Sequence, residues 1–255
     1  MTSREVIVVG WPRSGNTWLA RLLADALDSP LVGIPERGIE PIGQEGLDRD
    51  GDYLVRQLHL LPNFSDEHTK FIPDSFHAAI TRWQGEKLAL IIRDPRDVAV
   101  SCMFYWGIKT LSDTIWAMAE VEWPIAIGGN WATYYDEWFN CGLPFSFVKY
   151  EDLSAGTEAE LRRVVSELDL KPANDAATVV QRQAIDVRRQ QFVEKKGHHH
   201  PYGSGLQIKH LRKGIVGDWR NHFTRKDGEM LHGYFFEAMR RYGYETDEGW
   251  FNDLP

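Results

Sequence analysis

The sequence predicts an α/β domain with a central parallel sheet flanked by helices. Two apolar runs carry the expectation, Val6-Ile7-Val8-Val9 and Leu88-Ala89-Leu90-Ile91-Ile92, with a shorter third, Phe145-Ser146-Phe147-Val148. The first two are unbroken rather than alternating, as strands covered on both faces are. Each run is followed by residues with helical spacing, the mark of βαβ units. The 255 residues are 43% hydrophobic and 26% charged, in keeping with a single domain spanning 1–255.

Taken in order, 6–9 reads as a buried strand ending at Gly10, and 11–15 as a loop. A helix begins at Asn16 or Thr17 and presents Leu19, Leu22, Leu23 and Leu27 on one face. Residues 30–51, rich in Gly, Pro and charge, read as an irregular connection. A short strand is expected over 53–61 and a short helix over 73–83. The second core strand, 88–92, turns at Arg93-Asp94-Pro95 into a helix with Asp94 as N-cap and Pro95 at its first position. The stretch 110–138 reads as mostly helical, interrupted near Gly128-Gly129, and the third strand covers 145–148. Amphipathic helices are expected over 158–168 and 176–192, a mobile segment over 195–205, and a last helix over 226–242. No internal repeat or domain linker is evident.

Charge narrows the function classes. With 29 basic against 37 acidic side chains the net charge is −8, which argues against a nucleic-acid binder and points to a small-molecule partner. Cys102 and Cys141 are the only two cysteines, too few for a disulfide framework, so a reducing, cytoplasmic setting is expected. No run of about 18 apolar residues occurs, so no membrane span is expected, and the apolar run at 6–9 is too short for a signal peptide.

Strand, then Gly10-Trp11-Pro12-Arg13-Ser14-Gly15-Asn16-Thr17, then helix, is the layout of a phosphate-binding loop, in which backbone N–H groups and a helix N-terminus converge on an anion. The spacing nearly matches G-x-x-x-x-G-K-[ST], but Asn16 replaces the lysine that reaches β- and γ-phosphates, and the cation sits earlier, at Arg13. The plainer alternative is an ordinary strand-to-helix turn. At the second junction Arg93 stands at the carboxyl end of its strand, where open α/β sheets bind ligands, with Ser101 two turns into the helix. The alternative there is an Arg93–Asp97 ion pair with Ser101 facing solvent. A third basic element, Arg212-Lys213-Gly214, can wrap an anion with side chains and backbone donors. His198-His199-His200 is read as part of a polar loop, since consecutive histidines do not face one ion; no metal is expected.

Together these segments resemble the sulfotransferases that use 3′-phosphoadenosine 5′-phosphosulfate (PAPS), the cytosolic type especially, whose fold is P-loop nucleotide-kinase-like. Residues 11–18 are similar to the family's 5′-phosphosulfate loop and 93–101 to its 3′-phosphate motif. Arg212-Lys213-Gly214-x-x-Gly217-Asp218-Trp219 is similar to its third signature, and Tyr150-Glu151-Asp152 to a segment contacting adenosine. The matches fall in family order across residues 10–224.

The resemblance implies that Arg13, Ser14, Gly15, Asn16 and Thr17 cradle the phosphosulfate, and that Trp18 stacks on adenine with Tyr150 near the base. Arg93, Ser101, Arg212, Lys213 and Gly214 would bind the 3′-phosphate. The activity implied is metal-independent, in-line sulfuryl transfer from PAPS to a hydroxyl or amine of a small-molecule acceptor, leaving 3′,5′-ADP (PAP). Arg13 would stabilise the leaving phosphate; many relatives have lysine there, and an arginine stays charged rather than donating a proton. His59, in Arg56-Gln57-Leu58-His59-Leu60-Leu61-Pro62, resembles the family's Lys-Thr-His-Leu-Pro segment and would be the base. The stretch before Arg212 would lie over the site as a lid. Aromatic candidates for an acceptor wall are Phe76, Trp83, Phe104, Tyr105 and Trp106. The short dimer motif of some cytosolic members is absent after Thr224. Two other readings stay open: a Mg²⁺-dependent P-loop small-molecule kinase, and a protein that holds the nucleotide without turnover.

Overall fold

The computed structural model describes residues 4–32, 45–59, 86–120, 130–194 and 214–255. Strand β1 (Arg4–Val9) is buried from its second residue onward. It pairs in parallel with β3 (Tyr53–Leu58) on one side and β4 (Lys87–Ile92) on the other, with Val9 opposite both Leu58 and Leu90. With β2 (Leu31–Val32) and β5 (Ser146–Lys149), the described strands form a parallel sheet in the order β2-β3-β1-β4-β5.

Alternate side chains feed two cores. Val6, Val8, Ala89, Ile91 and Val148 face a cluster with Leu19, Leu22 and Leu23 of α1 (Asn16–Ala26) and with residues of α6 (Thr157–Glu167) and α7 (Ala176–Arg182). Ile7, Val9, Leu88, Leu90 and Ile92 face α2 (Pro95–Trp106), α3 (Leu111–Glu120), α4 (Trp131–Asn140) and α9 (Arg225–Arg241). Trp131, fully buried, meets Tyr135, Phe235, Tyr242 and Tyr244 edge-on at centroid distances of 5.3–6.3 Å.

Asp94 caps α2 as the sequence predicts, its carboxylate accepting from the Arg96 N–H at 2.9 Å, with Pro95 in the first turn. Asn130 caps α4 in the same way through the Thr133 N–H. A capping box of Thr224 and Asp227 starts α9. A short helix, α5 (Tyr150–Ala155), follows β5 directly.

Several boundaries differ from the sequence reading. The connection 30–51 contains β2, whose two residues are held by β3 and by a bridge from Leu31 to Glu45. The strand expected over 53–61 ends at Leu58. Strand β5 starts one residue late, at Ser146, where its pairing with Ala89 of β4 begins. The helix expected over 176–192 is two: α7, then α8 (Ile185–Glu194). The break falls at Gln183-Ala184, where buried Gln183 donates to Asp25 of α1 at 2.9 Å, a tertiary bond that periodicity cannot reveal. The helix expected over 73–83, the interruption at Gly128-Gly129 and the segment 195–205 lie outside the described residues.

The start of α2 is locked by one buried cation. Arg96 donates to both Asp94 oxygens (2.9 and 2.8 Å), to Glu245 (2.8 Å) and to the Tyr244 carbonyl (2.9 Å). Its guanidinium also lies 4.3 Å from the Trp219 ring centroid and 4.9 Å from that of Trp250. Removing it strands two carboxylates, Asp94 itself being buried. Arg96→Ala is therefore expected to lower unfolding free energy by about 3 kcal/mol, read as a fall in the denaturant midpoint at unchanged slope.

Candidate active site

A parallel sheet sends every strand's carboxyl end to one edge. Here that edge gathers the loop after β1, His59 after β3, Arg93 after β4 and Tyr150 after β5. The loop turns tightly, the Ser14 N–H donating to the Trp11 carbonyl at 3.2 Å. Gly10 must lack a side chain: a Cβ there would stand 2.5 Å from the Ile91 carbonyl oxygen. Gly15 has φ +101°, and a Cβ would come 2.5 Å from the Tyr150 ring. Arg13, not a glycine, also takes a positive φ of 68°, a strained position that neighbours must hold.

The loop's side chains divide. Asn16 turns inward, its Nδ2 donating to the carbonyls of Gly10 (3.3 Å) and Trp11 (3.0 Å). Ser14 is fully buried, and its hydroxyl bonds Tyr135 Oη at 3.0 Å. With the Ser14 N–H already given to Trp11, what the loop can offer an anion is the N–H groups that helix α1 leaves unpaired at its start, near Asn16 and Thr17. Trp18, at the same end of α1, meets Tyr150 edge-on at 5.7 Å.

His59 sits beside Gly10, as the register of Val9 opposite Leu58 requires. Its Nδ1 donates to the Gly10 carbonyl at 2.8 Å, so the proton resides on Nδ1 and Nε2 carries the lone pair, 3.4 Å from Gln57 Nε2. Burial holds its pKa below the usual histidine value; the Gly10 bond opposes that, and the charge of Arg13 adds to it. A neutral imidazole with its basic nitrogen set by a backbone bond is equipped to accept a proton.

Arg13 and Ser101 meet: Arg13 Nε donates to the Ser101 hydroxyl at 3.1 Å, joining the first loop to α2. Ser101 is buried rather than solvent-facing. Arg93, also buried, lies 4.1 Å from the Tyr150 ring centroid and donates to the Ile215 carbonyl at 3.2 Å. It also forms the ion pair with Asp97 that the plainer reading expects, at 3.7 Å, although Ser101 does not face solvent as that reading has it. Tyr150 donates to the Gly214 carbonyl at 3.0 Å, so the residues after the third basic element join the same edge. Arg212, Lys213, His198, His199, His200, Phe76 and Trp83 lie outside the described residues.

Two residues outside the expected donor-binding set organise the edge. The Tyr135 hydroxyl donates to the Ile91 carbonyl (2.9 Å), takes the Trp11 N–H (3.2 Å) and bonds Ser14, filling its hydrogen-bonding capacity. Burial pushes its phenol up, so it remains a donor. Asp97 takes the N–H groups of Gly217 (2.7 Å) and Trp219 (3.0 Å), stitching the third segment onto α2. Tyr135 sits in an aromatic helix that reads as core, and no sequence signal marks it. Asp97 had one, since an acid amid a basic motif invites the question of what it holds.

A family model described as a sulfotransferase domain matches residues 3–243. Rat sulfotransferase 2A1 is 29% identical over 92% of this chain and 84% of its own, and the rabbit amine sulfotransferase 21% over 92% and 81%. Among solved structures, mouse sulfotransferase SULT7A1 complexed with PAP superposes with a TM-score of 0.63 at 20% identity, covering 93% of this chain and 84% of that one. Retinol dehydratase in complex with androsterone and PAP gives 0.60 at 13%, covering 94% and 82%. These likenesses agree with the architecture above and lend the kinase alternative no support. The extent of the family match, with a glycine-flanked loop, a second basic junction and a third segment on one sheet edge, makes this chain a member of the sulfotransferase domain family.

Proposed function

We propose that the protein is a single-domain, PAPS-dependent sulfotransferase that moves a sulfuryl group to a hydroxyl or amine of a small-molecule acceptor and releases PAP. The observation that carries this is the junction of Arg13 and Ser101, which ties the loop suited to a 5′-phosphosulfate to the helix suited to a 3′-phosphate. A donor with two separated anionic ends needs two cationic sites. Arg13 serves the first, with the N–H groups of Gly15, Asn16 and Thr17 and with Ser14 holding the turn of the loop; Arg93, Ser101, Arg212, Lys213 and Gly214 serve the second. Trp18 and Tyr150, in contact at 5.7 Å, take the adenine.

In the transfer, the acceptor's lone pair forms a bond to sulfur as the bond from sulfur to the bridging oxygen breaks, in line. The acceptor proton passes to His59 Nε2, and the negative charge left on the 5′-phosphate is met by Arg13. A fixed cation and aligned backbone dipoles stabilise that charge without reorganising. Phe104, exposed at the end of α2, offers an aromatic surface to the acceptor. Among the described residues no helix is long and apolar enough to cross a membrane, and both cysteines are free thiols, which fits action in the cytoplasm.

Calorimetry is expected to give binding heat with PAP and none with Mg-ATP; the reverse would restore the kinase reading. Arg212→Ala should weaken PAP binding by about tenfold or more, as loss of a charge-assisted bond does, with the thermal melt unchanged. His59→Ala should cut turnover by about 100-fold or more while leaving the PAP dissociation constant unaltered. Because burial lowers its pKa, the His59 ring should stay neutral down to a lower pH than a free histidine. In the ligand-free protein its NMR titration midpoint should lie below the usual 6.5. Turnover should fall as pH drops through the base's pKa and be flat above it.

A further inference from the structure

Arg13 has a second holder besides Ser101. Its guanidinium carbon lies 4.4 Å from the centroid of the Tyr105 ring, well inside cation–π range. Ser101 and Tyr105 are four residues apart on α2, so one helix face presents both. The two contacts differ in kind. The Ser101 hydroxyl takes the Nε proton and fixes where the guanidinium sits. The ring face lies under the guanidinium carbon and takes none of its five N–H donors, so it restrains the fork without competing for them.

Such a holder is needed here for two local reasons. The Arg13 backbone is in the left-handed region, φ 68°, where a side chain other than glycine's is strained and settles only if its surroundings dictate its place. A guanidinium is also a flat fork, not a point charge: it stabilises an oxygen well only when its plane contains that oxygen. A loop that uses arginine as its cation therefore depends on something controlling rotation about the Nε bond.

We propose that Tyr105 is a positioning residue for Arg13: its ring face holds the guanidinium in the plane that meets the bridging oxygen of the donor. The role rests on the reading of Arg13 as the cation for the leaving phosphate. It belongs to the ring and not to the hydroxyl, and it acts on charge that develops during transfer. Loss of the ring should lower turnover more than donor affinity.

The test uses the full chain and needs no identified acceptor. With water in place of an acceptor, the bond from sulfur to the bridging oxygen breaks and one to water forms, giving PAP, sulfate and a proton. PAP formation from PAPS is compared in wild type, Tyr105→Phe and Tyr105→Leu, alone and with Arg13→Ala. Tyr105→Phe should stay within about 2-fold of wild type, and Tyr105→Leu should fall about 10-fold in kcat with donor KM shifted less than about 3-fold. In the Arg13→Ala background Tyr105→Leu should have less than about a 2-fold further effect. By NMR, the Arg13 side-chain protons should show an upfield ring-current shift that persists in Tyr105→Phe and vanishes in Tyr105→Leu. A leucine variant as active as wild type, or one whose loss persists in full without Arg13, would overturn the role of Tyr105 alone. Wild-type protein inert towards PAPS would overturn the underlying reading of the site, even with the ring-current shift intact.

Discussion

One carbonyl oxygen, that of Gly10, sets much of the site. It accepts from His59 Nδ1 at 2.8 Å and from Asn16 Nδ2 at 3.3 Å, so a single backbone group fixes both the imidazole tautomer and the closure of the loop. The arrangement is possible because β1 and β3 are parallel and in register, which brings the residue after Val9 beside the residue after Leu58. It also needs residue 10 to have no side chain, since the backbone of β4 approaches on the other side. Tautomer, loop and sheet register are one constraint seen at three scales.

The second half of the site is held by a different logic. The ends of β4 and β5 lie side by side, Ile92 opposite Lys149, but the third segment joins no described strand, so buried side chains fasten it to them instead. Asp97 takes two N–H groups of the third segment, Arg93 reaches the Ile215 carbonyl, and Tyr150 reaches the Gly214 carbonyl. Burial raises the Asp97 pKa, and Arg93 with the two N–H groups counteracts the rise. A buried carboxylate in this setting is costly unless fully bonded, which makes the join specific to one geometry.

What was legible in the sequence follows from local causes. The apolar runs at 6–9 and 88–92, the cap at Asp94 and Pro95, and the glycines flanking the first loop each carry their own physical reason within a few residues. The break at Gln183-Ala184 has none, because it answers to Asp25 on another helix. Strand β2 is two residues long and exists only through its neighbours. In the candidate site, Arg13, Arg93 and Ser101 could be picked out from the layout of their strand-to-helix junctions, and His59 and Tyr150 from the resemblance of their segments to the family's. The inward turn of Ser14 and Asn16 could not, since it depends on Tyr135 and on two carbonyls whose places only the fold decides. The same holds for Tyr105, an aromatic among many until Arg13 is seen against its face.

The cage around Arg96 also bears on where the functional unit stops. The family match ends at residue 243, yet Tyr244, Glu245 and Trp250 lie past that limit and close over Arg96 at the root of α2. Trp250 further packs edge-on to Trp219 at 5.4 Å, and the Pro255 carbonyl accepts the Arg225 N–H at the head of α9. The tail is thus a buckle fastened across the second and third basic segments, and a fragment trimmed to the family's boundary would keep every residue proposed to hold the donor while losing the clasp that steadies two of these segments.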